Sequence, residues 1–87
     1  MDTEPIRAYL ESRLLRPGGA IPGEDAPLFS SGLIDSFGVL ELIAWLEERH
    51  SIEIDTAKYH ILDFDTLRKI RAIVENEVRK GGGGHGR

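Results

Sequence analysis

Residues Phe29 to Leu46 read FSSGLIDSFGVLELIAWL, and this stretch decides the fold. Gly32 breaks the chain, and Asp35 then stands as a natural N-cap with Ser36 as the first helical residue. The spacing predicts a helix from there to about Arg49. At about 100° per residue, Val39, Leu42, Ile43 and Leu46 fall together as the stripe that must be buried. Phe37, Leu40 and Ala44 fall on another side, beside Glu41, Glu47 and Glu48. An apolar strip edged with carboxylates is expected to be a docking face for a basic partner.

Outward from this helix the pattern stays helical. Ile6, Leu10 and Leu14 recur on one face of a segment from about Thr3 to Leu15, with Thr3 as N-cap and Pro5 in the first turn. Pro17, Gly18 and Gly19 end it, and a long loop follows to Ile34. That loop carries Ile21, Leu28, Phe29, Leu33 and Ile34, so it is expected to be pinned across the core. Ser51-Ile52-Glu53-Ile54 is too short for a confident strand; Ile52 and Ile54 should tuck a connector inward. Thr56 to about His60 reads as one short helical turn. A last helix from Thr66 to Arg79 carries the stripe Leu67, Ile70, Ile73, Val74 and Val78. The expected fold is all-α: a small four-helix bundle, three main helices and one short, with a long first loop. Residues 1–80 form the domain, and the glycine-rich 81–87 is expected to be a flexible tail.

Composition narrows the function. With 87 residues there is one domain and one modest core. There is no cysteine, which removes disulfides, thiolate metal sites and a catalytic thiol of the protein's own. A net charge of −4 argues against nucleic acid as a partner. No apolar run is long enough to span a membrane, and Asp2 and Glu4 sit where a signal peptide would be basic. A cytoplasmic monomer is the expectation. His50, His60 and His85 lack the neighbours of a hydrolase triad or a metal site, so no metal is expected and the chain should not be an enzyme. Trp45, Tyr9 and Tyr59 read as packing residues.

Ser36 by itself could be an ordinary helix-start serine. Its position nonetheless suits an anion: a hydroxyl at the first helical residue faces unpaired N–H groups and the positive end of the dipole. With Gly32-Leu33-Ile34-Asp35-Ser36-Phe37 opening a long amphipathic helix in an acidic domain, the chain resembles the acyl carrier and peptidyl (aminoacyl) carrier family over roughly Leu10 to Val78.

The resemblance implies a freestanding carrier. Ser36 would take a covalent 4′-phosphopantetheine arm from coenzyme A, with Asp35 beside it, and hold an acyl or aminoacyl group as a thioester. It implies three partners: a phosphopantetheinyl transferase, an adenylating acyl or aminoacyl ligase, and downstream biosynthetic enzymes. They would dock on Phe37, Leu40, Glu41, Ala44, Glu47 and Glu48. Two residues depart from the fatty-acid pattern: Gly38, where an acid is common, and Ile34, where a small residue is common. They lean toward the aminoacyl carriers of secondary metabolism, and the D-alanyl carriers are similar too. The alternatives are a fatty-acid-type carrier and a non-catalytic helical interaction module in which Asp35-Ser36 is only a cap.

Overall fold

Pro5 presets the backbone of a first turn, and helix α1 runs over Glu4–Arg13 in the computed structural model, which describes residues 1–80. Thr3 occupies the N-cap position but does not cap with its side chain. Its hydroxyl donates to Glu24 at 2.6 Å, while Asp2 accepts from the Glu4 amide at 3.0 Å. The helix also stops short of Leu15. The Leu14 and Leu15 amides both return to the Leu10 carbonyl at 2.9 Å, and Gly18 turns the chain at φ +83°.

Helix α2 spans Gly38–His50, so it starts two residues later than the sequence suggests. The N-cap position is therefore Phe37, with no side-chain cap, and not Asp35, whose carboxylate instead accepts from the Phe37 amide at 2.9 Å and closes the turn ahead of the helix. The next amides, of Gly38, Val39 and Leu40, bond to the carbonyls of Asp35, Ser36 and Phe37, three residues back instead of four. Ser36 therefore sits in a tight turn that runs into the helix. At the other end Ser51 adopts the left-handed conformation, φ 55°, that closes many helices.

No strand occurs among the described residues. Ile52 and Ile54 are buried, as a connector pinned to the core requires. The single short helix expected near Thr56 is two 3-10 turns, Thr56–Lys58 and Ile61–Phe64. The side chains of Asp55 and His60 cap them, accepting from Ala57 and Leu62 amides. Helix α3, Leu67–Arg79, begins on a Thr66 cap whose hydroxyl accepts from the Lys69 amide at 3.0 Å.

One apolar cluster joins these elements. Ile6 and Leu10 of α1, Leu42, Ile43 and Leu46 of α2, and Leu67, Ile70, Ile73 and Val74 of α3 are all buried in it. Four loop residues, Ile21, Leu28, Phe29 and Ile34, are buried with them, so the long first loop crosses the core. The fold is all-α, as expected, with corrections at the edges. Val39 and Leu14 pack only partly buried against the cluster. Leu33 stays at the surface, and Val78 is 48% exposed because the last turn of α3 outruns the core. Residues 81–87, the expected tail, lie outside the described residues. Among the described residues no helix is long and apolar enough to cross a membrane.

Candidate functional site

Five serines occur in the chain, and their surroundings separate them. Ser12 donates to the Tyr9 carbonyl, Ser31 to the Pro27 carbonyl and Ser30 to the Asp65 carboxylate. Ser51 stands at the carboxyl end of α2, where the dipole is negative and an anion is disfavoured. Ser36 is exposed at the positive end of that 13-residue helix, in the turn fixed by Asp35. The donors expected to stand vacant around it are mostly used, because the Phe37, Gly38, Val39 and Leu40 amides are taken up by the turn. What the position retains is exposure, the dipole and a rigid mount.

That mount begins upstream. Residues Leu28 to Ile34 close on themselves: the Ile34 amide donates to the Leu28 carbonyl at 2.9 Å and the Gly32 amide to the Phe29 carbonyl at 3.1 Å. Gly32 has φ +82°, which a side chain would make costly. Ile34 and Leu28 anchor both ends in the core. Asp65, from the approach to α3, then grips the loop. Its carboxylate accepts from the Phe29 amide at 2.7 Å, the Ser30 amide at 2.8 Å and the Ser30 hydroxyl at 2.7 Å. Burial alone would raise this carboxyl. The hydrogen bonds from Ser30 and Phe29, with the charge of Lys69, outweigh it and hold the group below its ordinary value. The contact was not visible in the sequence, where Asp65 is only one acid before the Thr66 cap.

The proposed docking strip is laid out along the outer side of α2. Phe37 is 82% exposed and Leu40 63%, the two most exposed large apolar side chains. Glu41, Ala44 and Glu48 are exposed on the same helix. Glu47 differs. It is half-buried, and its carboxylate accepts from the Ile54 amide at 2.8 Å, so it ties the connector to α2. Beside the strip is an open groove of about 340 Å³ lined by Tyr9, Arg13, Glu41, Ala44, Trp45 and Glu48. Its wall is a parallel stack of Tyr9 on Trp45, centroids 4.4 Å apart, with the Arg49 guanidinium 5.5 Å from the Trp45 ring. Leu62, on the second 3-10 turn, is a further exposed apolar side chain that no helical periodicity pointed to.

Comparison with known proteins places the chain in a family. A family model described as "Phosphopantetheine attachment site" matches residues 4–74. The cofactor that goes with this family is covalently attached 4′-phosphopantetheine, and the exposed, dipole-facing hydroxyl of Ser36 fits a phosphodiester. The D-alanyl carrier protein 1 of Lactiplantibacillus plantarum is 36% identical over 52 residues, 60% of this chain and 65% of that protein. The D-alanyl carrier proteins of Streptococcus suis and Streptococcus sanguinis are each 39% identical over 46 residues, 53% of this chain and 58% of each relative. The chain thus spans less than two thirds of the length of the curated relatives it matches. No solved structure matches it significantly.

Proposed function

The chain belongs to the phosphopantetheine attachment-site family, and on that premise we propose that Ser36 bears the arm and that the group carried is a small aminoacyl unit. The observation behind the first half is the exposed Ser36 hydroxyl on a turn closed by Asp35, with the other serines either bonded within the protein or set at the wrong helix end. The arm, when bound, supplies a terminal thiol that can hold the cargo as a thioester, which a chain without cysteine cannot offer itself. The residues of the chain do the rest. Asp35 fixes the turn, Gly38 and Ile34 seat it on the core, and Phe37, Leu40, Glu41, Ala44 and Glu48 offer partner enzymes an apolar strip with carboxylates. The expected partners are a phosphopantetheinyl transferase and an adenylating ligase with a basic docking surface.

The relatives are D-alanyl carrier proteins, which supports D-alanine as the cargo over the aminoacyl groups of secondary metabolism in general. A fatty-acid role is the competing reading. Loading separates the two. The phosphopantetheinylated protein is incubated with ATP, a D-alanine-activating ligase or an acyl-activating ligase, and the matching acids. A D-alanyl mass gain that hydroxylamine removes supports the proposal. Acceptance of long fatty acyl groups with no D-alanine loading contradicts it. An interaction module would take neither.

A further inference from the structure

We infer that Asp65 is a positioning residue for the modification of Ser36, holding the loop ahead of the serine in the form a modifying enzyme recognises. The inference rests on the Ser36 reading above.

Asp65 lies 29 residues beyond Ser36 in the chain, yet hydrogen bonds lead from one almost to the other. The Asp65 carbonyl accepts from the Leu28 amide at 2.7 Å, and the Leu28 carbonyl accepts from the Ile34 amide at 2.9 Å. Ile34 is two residues from Ser36. In parallel the Asp65 carboxylate takes the Phe29 amide and both the amide and hydroxyl of Ser30. Charge-assisted bonds of this kind are shorter and stronger than neutral ones, and two consecutive amides on one oxygen fix the orientation of the peptide between them. Arg68 also holds the long loop, through its amide to the Glu24 carbonyl and its side chain to Asp25, but those contacts lie further upstream. Only Asp65 reaches Leu28 to Ser30 among these.

The division of labour within the loop explains why the effect should be local. Leu28 and Ile34 are buried and stay put by apolar packing whatever residue 65 is. Between them Ser30, Ser31, Gly32 and Leu33 are exposed. Their remaining ties are short-range, from Gly32 to Phe29, from Ser31 to Pro27 and from Leu33 to Ser31. Without the carboxylate, the Phe29 and Ser30 amides lose their acceptor and this stretch is free to rearrange. A loop that is competent only part of the time lowers apparent affinity by that fraction, whereas turnover from the bound complex is unchanged. The loss should therefore fall on KM and leave kcat alone.

The test is steady-state transfer of phosphopantetheine from coenzyme A by a phosphopantetheinyl transferase, with the full chain as the varied substrate. Asp65→Ala should raise KM about tenfold with kcat within about twofold of the parent. Asp65→Asn should recover most of this, because the amide oxygen can still accept both backbone N–H groups. Ser30→Ala, an exposed position that removes one bond, should raise KM by a smaller factor. Val74→Ala, a core change in α3, should lower the melting temperature yet leave KM unchanged when all proteins are assayed folded.

Parental KM in both Asp65→Ala and Ser30→Ala would overturn the inference. So would an Asp65→Asn protein no better than Asp65→Ala, or a Val74→Ala protein with KM raised as far. If Asp65→Ala does not fold, Ser30→Ala decides by the same criterion. A parent protein that takes no group at all would instead remove the Ser36 reading, and this one with it.

Discussion

The γ2 methyl of Ile34 lies 2.9 Å from the point where a β-carbon on residue 38 would sit, with a methyl of Leu14, just past the end of α1, 3.6 Å away. Gly38 is buried there at the first position of α2, so the end of the turn carrying Ser36 rests directly on Ile34 and Leu14. The two departures from the fatty-acid pattern are thus one packing solution: the large residue at 34 fills the space that a side chain at 38 would need.

Gly38→Ala should therefore destabilise, although alanine is the better helix former by about 1 kcal/mol. Overpacking a filled site costs about 1–3 kcal/mol, and Ile34 is itself too buried to move cheaply. In an Ile34→Ala background the same change should be neutral or stabilising. Urea unfolding of the four proteins in this cycle measures the coupling. Additive effects would mean that the two positions do not compete for space.

Leu46 tests the core stripe of α2. It is fully buried, and Leu46→Ala should cost about 2–5 kcal/mol in urea or thermal unfolding. A loss below about 0.5 kcal/mol would place this helix face elsewhere.

Much of this was readable from local pattern. The buried positions of α2 and α3 follow the 3.6-residue period, and Thr66 announces its helix as a cap should. The loop's apolar residues Ile21, Leu28, Phe29 and Ile34 gave away that it crosses the core. What escaped were choices made by tertiary contacts. The start of α2 slid two residues because Asp35 closes a tight turn first. Thr3 gave up its cap role for Glu24, 21 residues away, and Glu47 left the carboxylate row for the Ile54 amide. The grip of Asp65 on Phe29 spans 36 residues and leaves no periodic trace.

The two glutamates at 41 and 47 should behave oppositely. Glu47→Ala removes the acceptor of a partly buried amide and should cost about 1 kcal/mol or more of stability. Glu41 is exposed beside the apolar strip, so Glu41→Lys should leave the melting temperature nearly unchanged. It should slow transfer or loading by a basic partner enzyme at least about tenfold, through charge repulsion at the docking surface. Normal loading of Glu41→Lys would move the docking surface off α2.

Asp65 sets an acid limit. Its carboxyl is held below the ordinary value, so its contribution is fully present above the unfolded pKa of about 3.9 and is lost as pH falls through the lower folded one. Between about pH 5 and about pH 2 the parent should lose more unfolding free energy than Asp65→Asn, which has nothing to titrate there. Equal losses in the two proteins would mean that Asp65 is not ionised in the fold.

The central claim is the chemistry of one hydroxyl, and intact-mass spectrometry addresses it directly. After incubation with coenzyme A and a broad-specificity phosphopantetheinyl transferase, the parent protein should gain the mass of a single phosphopantetheine group. Ser36→Ala should gain none while keeping its helicity, and fragmentation of the modified parent should place the group on Ser36. A Ser36→Ala protein that still takes the group, or a parent modified at any other serine, would contradict the account.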